Sequence, residues 1–119
     1  MTETKTTNPG LPPETVSELA DLAAHSDDSI VSRTLMKSPA GSLTLFAFDA
    51  GQHLSEHTCP YDAIAHVIDG TGEVVINGAS HEVAAGQVVL MPANVPHAVN
   101  AKQCFKMLLT MFKHEKITD

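Results

Sequence analysis

The run Ile64-Ala65-His66-Val67-Ile68-Asp69-Gly70-Thr71-Gly72-Glu73-Val74-Val75-Ile76-Asn77-Gly78-Ala79-Ser80-His81-Glu82-Val83-Ala84-Ala85-Gly86 decides how this chain folds. Its first part, 64–69, is a short β-rich segment closed by Gly70 and Gly72. Residues 73–76 and 81–84 flank Asn77-Gly78. Asn-Gly between two such segments is a strong hairpin signal, because the tightest hairpin turns need positive φ at both central residues. Gly86 marks the next turn.

The same texture extends outward on both sides. Toward the N-terminus, residues 43–49 alternate, with Leu43, Leu45 and Ala47 opposite Phe46 and Phe48. Residues 37–42 hold Ser-Pro and Gly and read as a turn, and residues 30–36 are again strand-like. Toward the C-terminus, residues 88–91 stop at Pro92, residues 97–100 are short, and residues 105–112 form the last strand. About eight or nine short strands with glycine turns and no helix between them exclude a βαβ fold and predict an all-β antiparallel barrel or sandwich. The last strand is apolar on both faces: Phe105, Met107, Leu109 and Met111 form one row, Leu108 and Phe112 the other. One row fills the barrel, and the second needs cover from the N-terminal segment or from another subunit. A homodimer is the expectation.

The division along the chain follows. Residues 1–13, rich in Thr, Pro and Gly, read as a disordered tail with little to bury. Residues 14–29 read as a helical lead-in, with Val16, Leu19, Leu22 and Ala23 on one face of a short N-terminal helix over 14–26. Residues 30–113 make one barrel domain, and 114–119 a second tail. A length of 119 residues suits a single domain.

Composition removes several classes of function. The formal net charge is -7 and no Lys/Arg cluster interrupts it, which disfavours nucleic acid as a partner. No apolar run is long enough to cross a bilayer, and the polar start lacks the pattern of a signal peptide. A soluble, cytoplasmic protein without membrane partners is expected. Cys59 and Cys104 make neither a disulfide scaffold nor a paired zinc motif.

There are 7 histidines, and their placement carries the chemistry. His57 and Cys59 stand two apart, so an extended backbone points both to one face. His97 follows Met91-Pro92-Ala93-Asn94-Val95-Pro96, whose prolines fix the loop that delivers it. Gly51, His57, Cys59, Ala63 and Gly70, followed by Gly86, Pro92, Asn94, His97 and Ala101, resemble the two motifs of the cupin superfamily, small single-domain conserved-barrel members in particular. The resemblance implies a jelly-roll β-barrel. It also implies a divalent metal, held in the family by two first-motif histidines, a glutamate and the second-motif histidine. Here Cys59 stands for one histidine and Ala63 for the glutamate, so His57, Cys59 and His97 are the candidate metal ligands. Asn94 replaces a glycine, and Asn accepts a left-handed backbone better than most residues.

Two imidazoles and a thiolate suit zinc, copper or iron, and nickel or manganese are not distinguished from these. No organic cofactor is indicated. Asp62 stands one residue from the missing glutamate, and a bulge could turn it inward. Strict alternation sends His66 to the outer face, His53 follows the turn glycine by two residues and could rim the cavity, Tyr61 is a further minor candidate, and His25, His81 and His114 stand without company. The expected pocket comprises His57, Cys59, Asp62, His97, Met91 and Met107, with Met111, Val67 and Phe48 as further walls. Its expected occupant is a small molecule such as a carboxylate or phenol. The reading is a small-molecule-binding barrel, with a metal-dependent oxygenase or isomerase and a non-catalytic metal or redox sensor as the alternatives.

Overall fold

The computed structural model describes residues 3–7 and 10–114. Ten strands run in chain order: β1 Glu3–Thr7, β2 Ser29–Ser38, β3 Gly41–Phe48, β4 His53–His57, β5 Tyr61–Asp69, β6 Thr71–Ile76, β7 Ala79–Ala84, β8 Val88–Met91, β9 His97–Asn100 and β10 Phe105–Lys113. They form a six-stranded sheet, β1-β2-β3-β10-β5-β8, facing a four-stranded sheet, β4-β9-β6-β7. All pairings are antiparallel except β1 with β2. The chain is the expected all-β jelly roll. Asn77 and Gly78 both take positive φ, 51° and 81°, at the β6–β7 turn, as the hairpin reading requires.

The inner faces close over one core of Ile30, Phe48, Ala63, Ala65, Val67, Val74, Val83, Met91, Val99, Phe105 and Met107. Phe48 and Phe105 stack with ring centroids 4.6 Å apart and planes 7° apart. Gly72 makes room for that stack, since a Cβ there would lie 2.4 Å from the Phe105 ring.

Two N-terminal expectations are corrected. Residues 3–7, read as tail, pair in parallel with Ser29–Arg33 as β1. Residues 14–26 form no α-helix: a 3-10 turn over Leu19–Asp21 is the only helical piece among the described residues. Leu19, Leu22 and Ala23 nevertheless bury against Val31, Leu45, Ala47, Ile68 and Leu108 on the outer face of the large sheet. Arg33 donates to the Leu22 carbonyl and Lys106 to the Ala20 carbonyl, so tertiary donors take acceptors that a helix would use. An isolated helix of this length is marginal in water, and docking on the sheet decides the local conformation instead.

This segment covers only half of that outer face. Register places Met36, Leu43, Thr110, Ile64 and Leu90 in one row across β2, β3, β10, β5 and β8. Met36 is 70% exposed, Leu90 55% and Ile64 36%, and the neighbouring Val88 and Phe112 are 62% and 57% exposed. Of the second apolar row of β10, Leu108 is therefore covered by the N-terminal segment and Phe112 is not.

Candidate functional site

His97 begins β9, on the inner face between Ile76 of β6 and His57 of β4. His57 reaches the same face through a register shift. Leu54 pairs with Val99 and His57 with His97, so three steps on β4 match two on β9. Leu54 packs on the core, and an uninterrupted strand would turn a residue three positions later to the opposite face. The extra residue of the bulge restores the inward direction. The sequence shows no glycine or proline at residues 54–57 to announce it.

The result is a histidine pair. The two Nε2 atoms lie 3.1 Å apart, with ring centroids at 4.3 Å and planes at 68°. His57 Nδ1 is 2.7 Å from the Ser55 carbonyl oxygen, and His97 Nδ1 is 3.1 Å from that of Val95. A carbonyl can only accept, so each Nδ1 carries the proton and each neutral ring presents a bare Nε2 lone pair. Two lone pairs facing each other at this distance repel unless a cation or a shared proton joins them. His97 is buried, which lowers its proton affinity below the ordinary histidine value, and a charge on His57 acts in the same direction. Backbone carbonyls on the outer nitrogens and lone pairs converging on the inner ones are the arrangement of metal-ligating histidines.

This donor pair fits a divalent ion. Two nitrogen ligands at about 2.0–2.1 Å from one metal and about 100° apart are separated by about 3.1 Å. Among the described residues, no group of three or more His, Cys, Asp or Glu is gathered to hold a metal. The expected trio of His57, Cys59 and His97 is thus not assembled. β4 ends at His57, so the extended geometry that would align Cys59 with it stops there. The Cys59 thiol lies 3.8 Å from the Tyr61 carbonyl, and its own carbonyl accepts the Asn94 N–H at 2.8 Å. Ala63, at the glutamate position, is buried in the core and brings no donor.

Asp62 does not turn inward either. Its Oδ1 accepts the Ala93 N–H at 3.0 Å and its Oδ2 lies 2.9 Å from His114 Nδ1. The His114 contact and the Ala93 N–H together hold its carboxyl below the usual aspartate range. Asp62 is an anchor for the loop before His97, and His114, expected to stand alone, is its partner. Asn94 completes that loop with φ at 66°, the left-handed conformation its amide side chain tolerates. Met91 and Met107 are 2% and 1% exposed and fill the core with Phe48 and Val67, so they are packing residues, not pocket walls. Asn100 faces outward and donates to Glu73 at 3.0 Å.

Cys59 lies just before the start of β5, while the Cys104 carbonyl lies against Gly70 just past its end. A nine-residue strand of about 30 Å separates them, and both are free. Among the described residues, no helix is long and apolar enough to cross a membrane.

No curated protein matches this sequence at significant similarity. Solved structures do. A conserved protein of unknown function from Streptococcus pyogenes is 33% identical, with 91% of this chain and 95% of that one covered at a TM-score of 0.85. A cupin superfamily protein from Desulfitobacterium hafniense DCB-2 is 25% identical over 89% of this chain and 97% of its own, with a TM-score of 0.83. A cupin 2 conserved barrel domain protein from Leptotrichia buccalis is 36% identical over 80% of this chain and 46% of its own, with a TM-score of 0.78. The family described as the cupin domain matches residues 44–110, a stretch that holds both histidines, the bulge and every strand from β4 to β9, and by that match the chain belongs to the cupin family.

Proposed function

We propose that this cupin barrel binds a small organic molecule at its histidine-bearing mouth, beside a divalent metal held by His57 and His97. The observation that carries the proposal is the 3.1 Å approach of two Nε2 atoms whose Nδ1 partners are both backbone carbonyls. The metal would supply Lewis acidity to a ligand oxygen. The chain's own residues do the rest. Ser55 and Val95 fix the ring orientations and tautomers, and Asp62 holds the loop that delivers His97. With only two protein ligands gathered, the remaining coordination positions fall to water and to the bound molecule.

The test is metal content and affinity in protein purified without chelator. Near-stoichiometric zinc, iron, copper, nickel or manganese that is lost in both His57→Ala and His97→Ala, and kept in Cys59→Ser, is the expected result. Metal-free wild-type protein that also fails to take up any of these ions would remove the metal from the reading. An oxygenase or isomerase reaction at the same mouth would need a proton acceptor. No carboxylate joins the pair among the described residues, so a catalytic role for the mouth would rest on the imidazoles themselves.

We also propose that a second copy of the chain covers the apolar row from Met36 to Leu90. The row crosses five strands, about 19 Å, and contains no charged side chain. In a chain of net charge -7, such a face is where two copies approach without repulsion. Sedimentation should show a dimer that Leu90→Asp dissociates. A wild-type monomer at high concentration would end this proposal.

A further inference from the structure

We infer that the same mouth carries an anion subsite made by Lys37, Ser42 and Tyr61, which selects small organic monocarboxylates. A cavity of about 250 Å³ is lined by Lys37, Ser38, Gly41, Ser42, Tyr61 and Met111. Register places it on the inner face: Lys37 pairs with Ser42, Ser42 with Met111, Met111 with Ala63, and Ala63 with Met91. That row begins in the core and ends at Lys37. It sits at the histidine end of the barrel, because Tyr61 opens β5 four residues after His57 and Met91 leads into the loop before His97.

The lining is chemically one-sided. Lys37 brings an ammonium, and Ser42 and Tyr61 bring hydroxyls. None of these three side-chain groups has a hydrogen-bond or ion-pair partner among the described residues. No Asp or Glu lines the cavity. Of the other described cations, Arg33 donates to Leu22, Lys106 to Ala20, and Lys102 pairs with Glu73, while Lys113 stands opposite Tyr61 in register but does not line the cavity. One cation in the lining with two hydroxyl donors matches one carboxylate, whereas a phosphate dianion would be left half compensated. The Met111 thioether offers an apolar, adaptable surface to the ligand's body. The β2–β3 turn is pressed onto that wall, since a Cβ at Gly41 would lie 2.0 Å from the Met111 carbonyl oxygen. At about 30 Å³ per water, the space takes a ligand of roughly eight to ten heavy atoms.

The inference rests on the mouth being a small-molecule site, and it does not depend on metal. Its test uses the full chain under chelation, titrated with acetate, butyrate and benzoate, each against its primary amide. Calorimetry reads affinity and NMR follows the Met111 methyl. The acid of at least one pair should bind about three- to tenfold more tightly than its amide and shift the Met111 signal. Lys37→Gln should abolish the difference and Lys37→Arg keep it. Lys37 is exposed, and an unchanged amide spectrum verifies that each variant is folded. If no acid exceeds its amide, or the preference survives Lys37→Gln, the subsite is wrong. If the preference instead vanishes in a His57→Ala/His97→Ala double variant while Lys37→Gln retains it, the anion belongs to the histidine pair. The subsite then fails while the proposed function stands.

Discussion

The two ends of this barrel are built from the same strands and do opposite things. At one end Phe48 and Phe105 stack face to face, Ile30 packs beside them, and Gly72 is cut back to admit the Phe105 ring. At the other end the same inner rows finish in Met111, Tyr61, His57 and His97. Along β10 the inward side chains pass from fully buried Phe105 and Met107 to half-buried Leu109 and Met111. The difference teaches where stability and chemistry reside: the phenylalanine end uses close packing, and the histidine end leaves polar groups with unfilled bonding capacity. Substitutions at the first should change folding, and substitutions at the second should change binding.

The largest effect is expected at the closed end. Phe105→Ala should cost about 3–5 kcal/mol in denaturant unfolding, because it removes half of the stack. Gly72→Ala, which forces a methyl against the Phe105 ring, should cost about 1–3 kcal/mol. Metal affinity measured in whatever fraction stays folded should be unchanged. A loss of affinity as large as the loss of stability would mean that the two ends are one unit.

The next effect lies at the mouth. His97 is held below its ordinary value of 6.5, first by burial. The unfolded chain therefore binds more protons than the folded one once pH falls into that region, and stability must decline as pH drops below about 6.5. Unfolding of chelated wild-type protein from pH 7.5 to 5 should show this slope, and His97→Gln should flatten it. An equal slope in the variant would assign the proton to another group.

Asp62→Ala should lower stability by less than the losses at the closed end, through release of the Ala93 N–H. It should also weaken metal binding, because the loop before His97 loosens. Preserved affinity would show that the prolines alone hold that loop. The smallest effect is expected for Cys59→Ser, which should leave metal affinity within about twofold of wild type, the thiol lying against Tyr61 instead of in the pair. A large loss would restore Cys59 to the ligand set.

Much of this could be read from residue order. Local turn chemistry at Asn77-Gly78, the spaced glycines and the alternating apolar rows determined an all-β barrel, and each acts over a few residues. Gly51, His57, Gly86, Pro92 and His97 in register determined which family it resembles and which two histidines would meet. Three things were decided only when the sheets assembled. The bulge after Leu54 sets the face on which His57 lies, and it arises from pairing with β9, a strand some forty residues away. The capture of Asp62 by Ala93 and His114 joins segments far apart in sequence and has no local signature. The segment over 14–26 carries a helical pattern, yet it follows the sheet beneath it, because a short helix is worth less in water than burying Leu19, Leu22 and Ala23 against a surface already formed.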